Sequence, residues 1–293
     1  MMKYLIAVMI SILGVNSAAY AEVIHQEKSL YRNIFVEDSG DLRCLKFSVK
    51  RATSNQSCIY KSDPNKMVFS YTKLIFSGLL LNPKPSKILI VGLGGGTLSN
   101  TFNQLLPTAK IDNVEIDPAV VKVAKDYFGF KENSQVSNTE QDARIFIKRA
   151  GLKKQQYDWI ILDAYNGDYI PEHLMTQEFL QEVKNLLSAD GVLSANTFSL
   201  SKLYNAESAT YQSVFGDFYN VRFNTTGNRI ILYSNAGKPS KQVLSERADQ
   251  LAPVLIDYGV DIYRVLRHMK IEQDWPSNTR LLTDQYSPAN LLK

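Results

Sequence analysis

Apolar and polar positions alternate in short runs through the first part of the chain, then give way to longer apolar blocks separated by glycine, proline and charged residues. Between positions 29 and 60 the runs 33–37, 42–49 and 57–60 keep a period near two. They break at Ser39-Gly40 and Thr53-Ser54-Asn55, which predicts strands of a small antiparallel sheet. Asp63-Pro64-Asn65 closes that sheet, a largely apolar helix is predicted over 66–80, and Asn82-Pro83-Lys84-Pro85 forms a stiff linker. Ile88, Leu89, Ile90 and Val91 then make a continuous apolar strand, of the kind covered on both faces in a parallel sheet. Strand and helix patterns alternate from there. Pro118 opens a helix with Val120, Val121, Ala124 and Phe128 on one face, and a strand over 136–139 precedes a helix carrying Ile145, Phe146 and Ile147. A strand over 157–162 ends on Asp163, followed by a helix over 176–187 and strands over 192–196, 219–223 and 229–233. This is the pattern of a doubly wound α/β domain. Two amphipathic helices over 241–269 act as packing elements.

The amino terminus changes the picture. Lys3, an apolar run over 4–15 and Ala19-Tyr20-Ala21 read as a secretory signal cleaved after Ala21, with an uncleaved anchor as the competing reading. The expected organisation is a signal at 1–21, an amino-terminal β domain with its linking helix at 22–82, a nucleoside-binding domain at 83–235, and carboxyl-terminal helices and tail at 236–293. The mature protein is expected to be periplasmic or secreted, with no stable membrane span. The chain has 33 basic and 29 acidic residues, a formal +4, and losing Lys3 with the signal leaves +3, too small a surplus to suggest a nucleic-acid partner. In an exported protein the two cysteines, Cys44 and Cys58, are expected to be bridged, although a simple hairpin turning near Thr53 would not set them opposite each other. His25, His173 and His268 show no metal-ligand spacing, so no metal site is expected.

The chemistry concentrates after the strand at 88–91. Gly92-Leu93-Gly94-Gly95-Gly96 makes a turn in which Gly92, Gly94 and Gly96 let the backbone approach a ligand. Glu115 follows about twenty residues later, the spacing at which a βαβ unit offers a carboxylate to ribose hydroxyls. Thr97 replaces the third glycine of the dinucleotide fingerprint, and no basic residue or Walker lysine holds a phosphate. A phosphate-poor nucleoside of the S-adenosylmethionine type fits this turn, and a tight turn with no ligand is the plain alternative. Glu115, Asp142 and Asp163 fall at successive strand ends, where ligands of such sheets bind, although each is also placed to cap the next helix.

The blocks ILIVGLGGGTL, VEIDPAVVKVAKDYF, QDAR, YDWIILDAYNGDYIPEHLMTQEFL and GVLSANTF, in this order and spacing, resemble the spermidine synthase (polyamine aminopropyltransferase) family from about position 56 onward. The DAYNG loop and the terminal TD-x-x-x-P segment, Thr283 to Pro288, are most similar to a bacterial exported, spermidine synthase-like branch. The resemblance implies a Rossmann-like, class I AdoMet methyltransferase-like sheet preceded by a small antiparallel β domain. It implies decarboxylated S-adenosylmethionine (or S-adenosylmethionine) as donor co-substrate, no permanently bound cofactor, and an amine such as putrescine as acceptor. Carried onto this sequence, it makes Glu115 the ribose ligand, Asp142 with Ala143 the adenine site, Gln56 a nucleoside contact, Asp163 the group that acts on the attacking amine and Tyr71 a wall of the amine pocket. The amine half departs from the family pattern. Gly95 stands where an aspartate is usual, Asn166 at the second acid of the loop, and Lys73 where a glutamate is usual. Asp168 and Glu172 replace part of that missing charge or form a solvated acidic loop.

Three functions share these features. Aminopropyl transfer to an amine is the leading one, methyl transfer from S-adenosylmethionine keeps the nucleoside site, and an exported binding protein for a nucleoside or polyamine needs no catalysis. A homodimer is left open as the assembly.

Overall fold

The computed structural model of the chain describes residues 21–48, 55–165, 169–224 and 226–286. The signal segment through Tyr20, the turn at Thr53-Ser54, the loop residues Asn166 and Asp168, and Ser287-Pro288 of the terminal motif lie outside the described residues.

The first sheet is a four-stranded antiparallel meander of β1 (Glu22–Lys28), β2 (Asn33–Ser39), β3 (Leu42–Lys46) and β4 (Asn55–Tyr60). The alternating pattern carries three of these strands; β1 is half-exposed and polar enough to escape it. Contrary to the hairpin expected to turn near Thr53, Cys44 pairs directly with Cys58 and the two are bridged. The physical reason is a shorter β3 with a shift in register. Leu45 pairs with Ser57 but Lys46 pairs with Asn55, so Gln56 falls between paired positions, as at a bulge that re-aims a side chain. Ile34, Val36, Leu45 and Ile59 pack this sheet against a helix of the second layer.

The predicted helix over 66–80 is in fact two short ones, α1 (Ser70–Ile75) and α2 (Gly78–Leu81). Leu79 and Leu80 donate to the carbonyls of Phe76 and Ser77, tightening the chain between them. At that point Gly78 presses on the Trp159 ring so closely that any Cβ would collide with it.

The second sheet follows as β5 (Lys87–Val91), α3 (Thr97–Leu105), β6 (Lys110–Glu115), α4 (Pro118–Phe128), β7 (Val136–Glu140), α5 (Ala143–Leu152), β8 (Tyr157–Leu162), α6 (Gln177–Lys184), β9 (Leu187–Phe198), α7 (Tyr204–Phe215), β10 (Tyr219–Val221), β11 (Asn228–Ser234), α8 (Lys241–Leu255), α9 (Ile262–Arg267) and β12 (Met269–Lys270). Its order is β12-β10-β11-β9-β8-β5-β6-β7. β7, β6, β5, β8 and β9 run parallel, while β11 is antiparallel to both β9 and β10. Alternate residues of β5 feed opposite faces: Ile88 and Ile90 join the core under α1, α2, α3 and α8, whereas Leu89 and Val91 join the core under α5, α6 and α7. The sheet is therefore covered on both sides, the doubly wound arrangement that its continuous apolar strands demand.

Two elements had no signal in the pattern. α7 buries Glu207, Ser208 and Thr210 beside Ala209 and Tyr211, so its inward face is not apolar. β12 is a two-residue edge strand that joins the carboxyl-terminal segment to β10. Among the described residues no helix is long and apolar enough to cross a membrane.

Candidate active site

After β5 the chain moves to β6 on one side and later returns to β8 on the other, and a crevice opens at the carboxyl ends of these strands. The cleft measures about 980 Å³, counting space open to solvent. Its floor is the glycine turn. Gly92 has φ of +94° and faces the carbonyl of Asp163 so closely that a Cβ has no room. Gly92 and Gly94 line the cleft, whereas Gly96, with φ of +72°, lies outside the lining and packs on Phe130, whose ring a Cβ would meet at 2.8 Å. Gly95 has its own constraint: an added Cβ would lie 2.8 Å from Ser57 Oγ and 3.0 Å from the Phe128 ring. Ser57 and Phe128 thus crowd the point at which a side chain on this residue would begin.

Glu115 ends β6 beneath this turn. Its Oε2 accepts the Leu93 N–H at 3.1 Å and its Oε1 accepts the Asp117 N–H at 3.0 Å. Burial raises its pKa, with the two backbone donors and the charge of Arg32 opposing. Arg32, from the turn between β1 and β2, lines the cleft, donates to the Tyr165 carbonyl at 3.2 Å and lies 3.8 Å from Asp117. One residue thereby ties the small sheet to both the β6 and β8 ends.

Asp163 follows β8. Its Oδ1 accepts from Asn196 Nδ2 at 2.8 Å, and its Oδ2 accepts from the Tyr71 hydroxyl at 3.4 Å. Burial pushes its carboxyl up to about 7, although both donors favour the charged form. Such a group exchanges a proton near neutrality, which an exposed aspartate does not. Tyr71, half-buried beside it, has a strongly raised pKa through desolvation and the neighbouring carboxylate, and remains a neutral hydroxyl.

Asp142 follows β7 at the start of α5. Its Oδ1 accepts the Ile145 N–H at 3.0 Å and caps α5, while its Oδ2 meets His173 Nε2 at 2.9 Å. Its neighbours Gln141 and Ala143 line the cleft, and Asp142 itself does not. Gln56 and Tyr71 line the cleft with Glu115 and Asp163. Lys73 is turned elsewhere: its pKa is lowered by burial and by the charges of Lys66 and Arg264. Among the described residues no group of three His, Cys, Asp or Glu side chains is arranged to hold a metal ion.

Sequence reasoning missed Arg32 and Asn196. Asn196 stood at the end of a predicted strand, where the rule that found Asp163 could have found it. Arg32 gave no such signal, because a short turn carries it.

The Spermine/spermidine synthase domain model matches residues 68–225. A polyamine aminopropyltransferase of Vibrio vulnificus is 48% identical over 291 residues, covering 99% of this chain and 97% of that protein. The crystal structure of a probable spermidine synthase from Corynebacterium glutamicum superposes with a TM-score of 0.66 at 20% identity, covering 88% of this chain and 99% of that one. Human methyltransferase-like protein 13, solved in complex with SAH, is 28% identical with a TM-score of 0.57, over 77% of this chain and 100% of that one. Matched through its nucleotide fold by the domain model, and along nearly its whole length by a relative of high identity, the chain belongs to the spermine/spermidine synthase family.

Proposed function

We propose that this protein is an aminopropyltransferase that moves the aminopropyl group of decarboxylated S-adenosylmethionine to an amine such as putrescine. The observation that carries the reading is Asp163, a desolvated carboxylate held between Tyr71 and Asn196 at the wall of the cleft that the glycine turn and Glu115 also line. Each Glu115 oxygen accepts one backbone N–H and keeps lone-pair capacity for a ribose hydroxyl. The adenine lies toward Gln141 and Ala143, and the sulfonium arm points toward Asp163.

In the reaction the amine lone pair attacks the methylene beside sulfur, and the C–S electron pair leaves with sulfur as a neutral thioether. No acid is needed for that departure. The attacker is the obstacle, because a primary ammonium has an ordinary pKa near 10 and no free lone pair. Asp163 attracts the ammonium, takes one proton and leaves the amine facing the carbon. The dry site helps twice, raising the basicity of Asp163 and disfavouring the charged amine. The remaining acceleration comes from holding nitrogen and carbon in line.

A second reading, methyl transfer from S-adenosylmethionine, is favoured by Gly95, which brings no carboxylate to hold an amine and whose Cβ position is crowded by Ser57 and Phe128. Incubating purified protein with each donor and putrescine separates the two. The expected product is spermidine with methylthioadenosine; a methylated acceptor with S-adenosylhomocysteine would reject the aminopropyl reading.

The signal reading of positions 1–21 makes this a periplasmic or secreted activity, and the bridged Cys44–Cys58 pair suits an oxidising compartment. Mass spectrometry of protein from the native host should find a chain beginning at Glu22 in the periplasmic or secreted fraction. Intact chain confined to the cytoplasm contradicts export.

Glu115→Gln should weaken methylthioadenosine binding by roughly tenfold or more, since charge-assisted bonds to the ribose become neutral ones. Calorimetry with unchanged affinity would remove Glu115 from the donor site.

Asp163→Asn should lower the transfer rate by about 10²–10⁴-fold while leaving donor affinity nearly intact, the range for loss of a positioned base. The wild-type rate should rise as pH increases through about 7, where Asp163 ionises, and the variant should lack that rise. Stability has the opposite sign. A carboxyl whose pKa is raised on folding favours the folded state at low pH, and that contribution is lost as pH rises from about 4 to about 7. Asp163→Asn should therefore melt above wild type at pH 8, with the two converging near pH 4; a lower melting temperature at pH 8 would contradict the burial argument.

A further inference from the structure

The reaction leaves the carboxyl-terminal segment without a task, yet that segment is bound down at its acidic residue. Asp284 takes the Arg144 guanidinium in a bidentate pair, Oδ1 accepting from Nη1 at 2.6 Å and Oδ2 from Nη2 at 2.7 Å. Its Oδ1 also accepts from the Thr176 hydroxyl at 2.7 Å, and its N–H donates to Glu178 Oε2 at 3.0 Å, both at the start of α6. Leu282, fully buried two residues earlier, accepts the Gln177 N–H on its carbonyl at 2.8 Å. It shares a small apolar cluster with Met175 and Leu203, against which Ile170 packs.

Arg144 is an unusual partner for that tail. It is the second residue of α5, and a cation in the first turn opposes the helix dipole, so the position by itself favours an acid. Tertiary contacts hold it there. Glu182 on α6 accepts from its Nε at 3.3 Å, and Asp284 takes both terminal nitrogens. Its chain neighbour Ala143 lines the cleft, and Nη1 donates at 3.5 Å to the carbonyl of His173, whose own neighbour Leu174 also lines it. The same two segments meet again where Asp142 touches His173. Arg144 thus joins the opening of α5 to the turn over 172–174, and Asp284 braces the joint. Gln141 and Ala143 line the cleft from one segment, Pro171 and Leu174 from the other.

We propose that Asp284 is a positioning residue for the donor: by fixing Arg144 it sets the spacing between the start of α5 and the 172–174 turn, and so the width of the slot that takes the adenine ring. The inference rests on the nucleoside part of the aminopropyltransferase reading and gives the carboxyl-terminal segment a role within it. A flat base held between two segments gains dispersion only at close approach, so a slot that loosens loses affinity. The contacts of Asp284 fall on α5 and α6, whereas Asp163 is held from α1 and β9. Donor binding should therefore respond to Asp284 while the chemical step does not.

The test is calorimetry with methylthioadenosine on the full chain, with steady-state kinetics beside it. Asp284→Asn keeps the shape and removes the charge; because the carboxylate is 42% exposed and partly screened, binding should weaken by roughly three- to tenfold. The donor KM should rise by the same factor, with kcat at saturating donor and the KM for putrescine unchanged. Arg144→Gln should weaken binding at least as much, and adding Asp284→Asn to it should change little further. If Arg144→Gln fails to fold, Asp284→Asn alone decides. A lower melting temperature with unchanged methylthioadenosine affinity would reduce the pair to a brace of the fold and overturn the proposal, as would a fall in kcat at constant donor KM. Wild-type protein with no affinity for methylthioadenosine would remove the nucleoside reading itself, and the inference with it.

Discussion

The backbones of Gly92 and Asp163 pass each other with no room for a side chain between them, and the cleft depends on that approach. β5 and β8 are neighbouring parallel strands in the middle of the sheet, and the Asp163 N–H still donates to the Val91 carbonyl at 2.8 Å as the strands end. A Cβ on Gly92 would push these ends apart. With glycine there, the turn folds back over Glu115 while Asp163 stays at the rim, so a nucleoside and an amine can be served by adjacent strand ends. The small amino-terminal sheet completes the enclosure, with Arg32, Phe47 and Gln56 reaching the cleft from its side.

Enclosure has a thermodynamic cost that the function uses. Glu115 and Asp163 are half-buried in the cleft wall and Glu207 is buried, and desolvation disfavours the charged form of each. At Glu115 backbone N–H groups compensate in part, which suits a ligand that binds through hydroxyls. At Asp163 the compensation is a neutral amide and a neutral phenol, and the carboxyl is pushed up to about 7, where it can gain or lose a proton. Glu207 is also pushed up to about 7 by burial, against the pull of Arg229. An entering ammonium would stabilise the ionised carboxylate of Asp163, whose basicity comes from its desolvation.

Much of the fold was legible because its strands are buried on both faces and read as unbroken apolar runs. The doubly wound sheet, the glycine turn and the position of Glu115 follow from Ile88 through Glu115 by spacing alone. What escaped was decided by tertiary placement. The direct pairing of Cys44 with Cys58 depends on the irregular position of Gln56, which alternation does not encode. The helix over 66–80 divides because Gly78 meets Trp159, a residue about eighty positions away in the chain. α7 was invisible because Glu207, Ser208 and Thr210 face inward, and their polarity cancels the helical period. At Asp142 the strand-end position is shared with a local role, since its carboxylate caps α5 and meets His173.

The account turns on the protonation of one side chain, and that can be observed without any substrate. Carbon-13 NMR of protein labelled at the aspartate side-chain carboxyls, followed across pH, reports each titration separately, and the signal missing from Asp163→Asn identifies the one that matters. The account predicts that this signal titrates near 7, well above the other aspartates. Titration in the ordinary range near 4 would mean that Asp163 is fully ionised and well hydrated, and would contradict the claim that burial makes it a base.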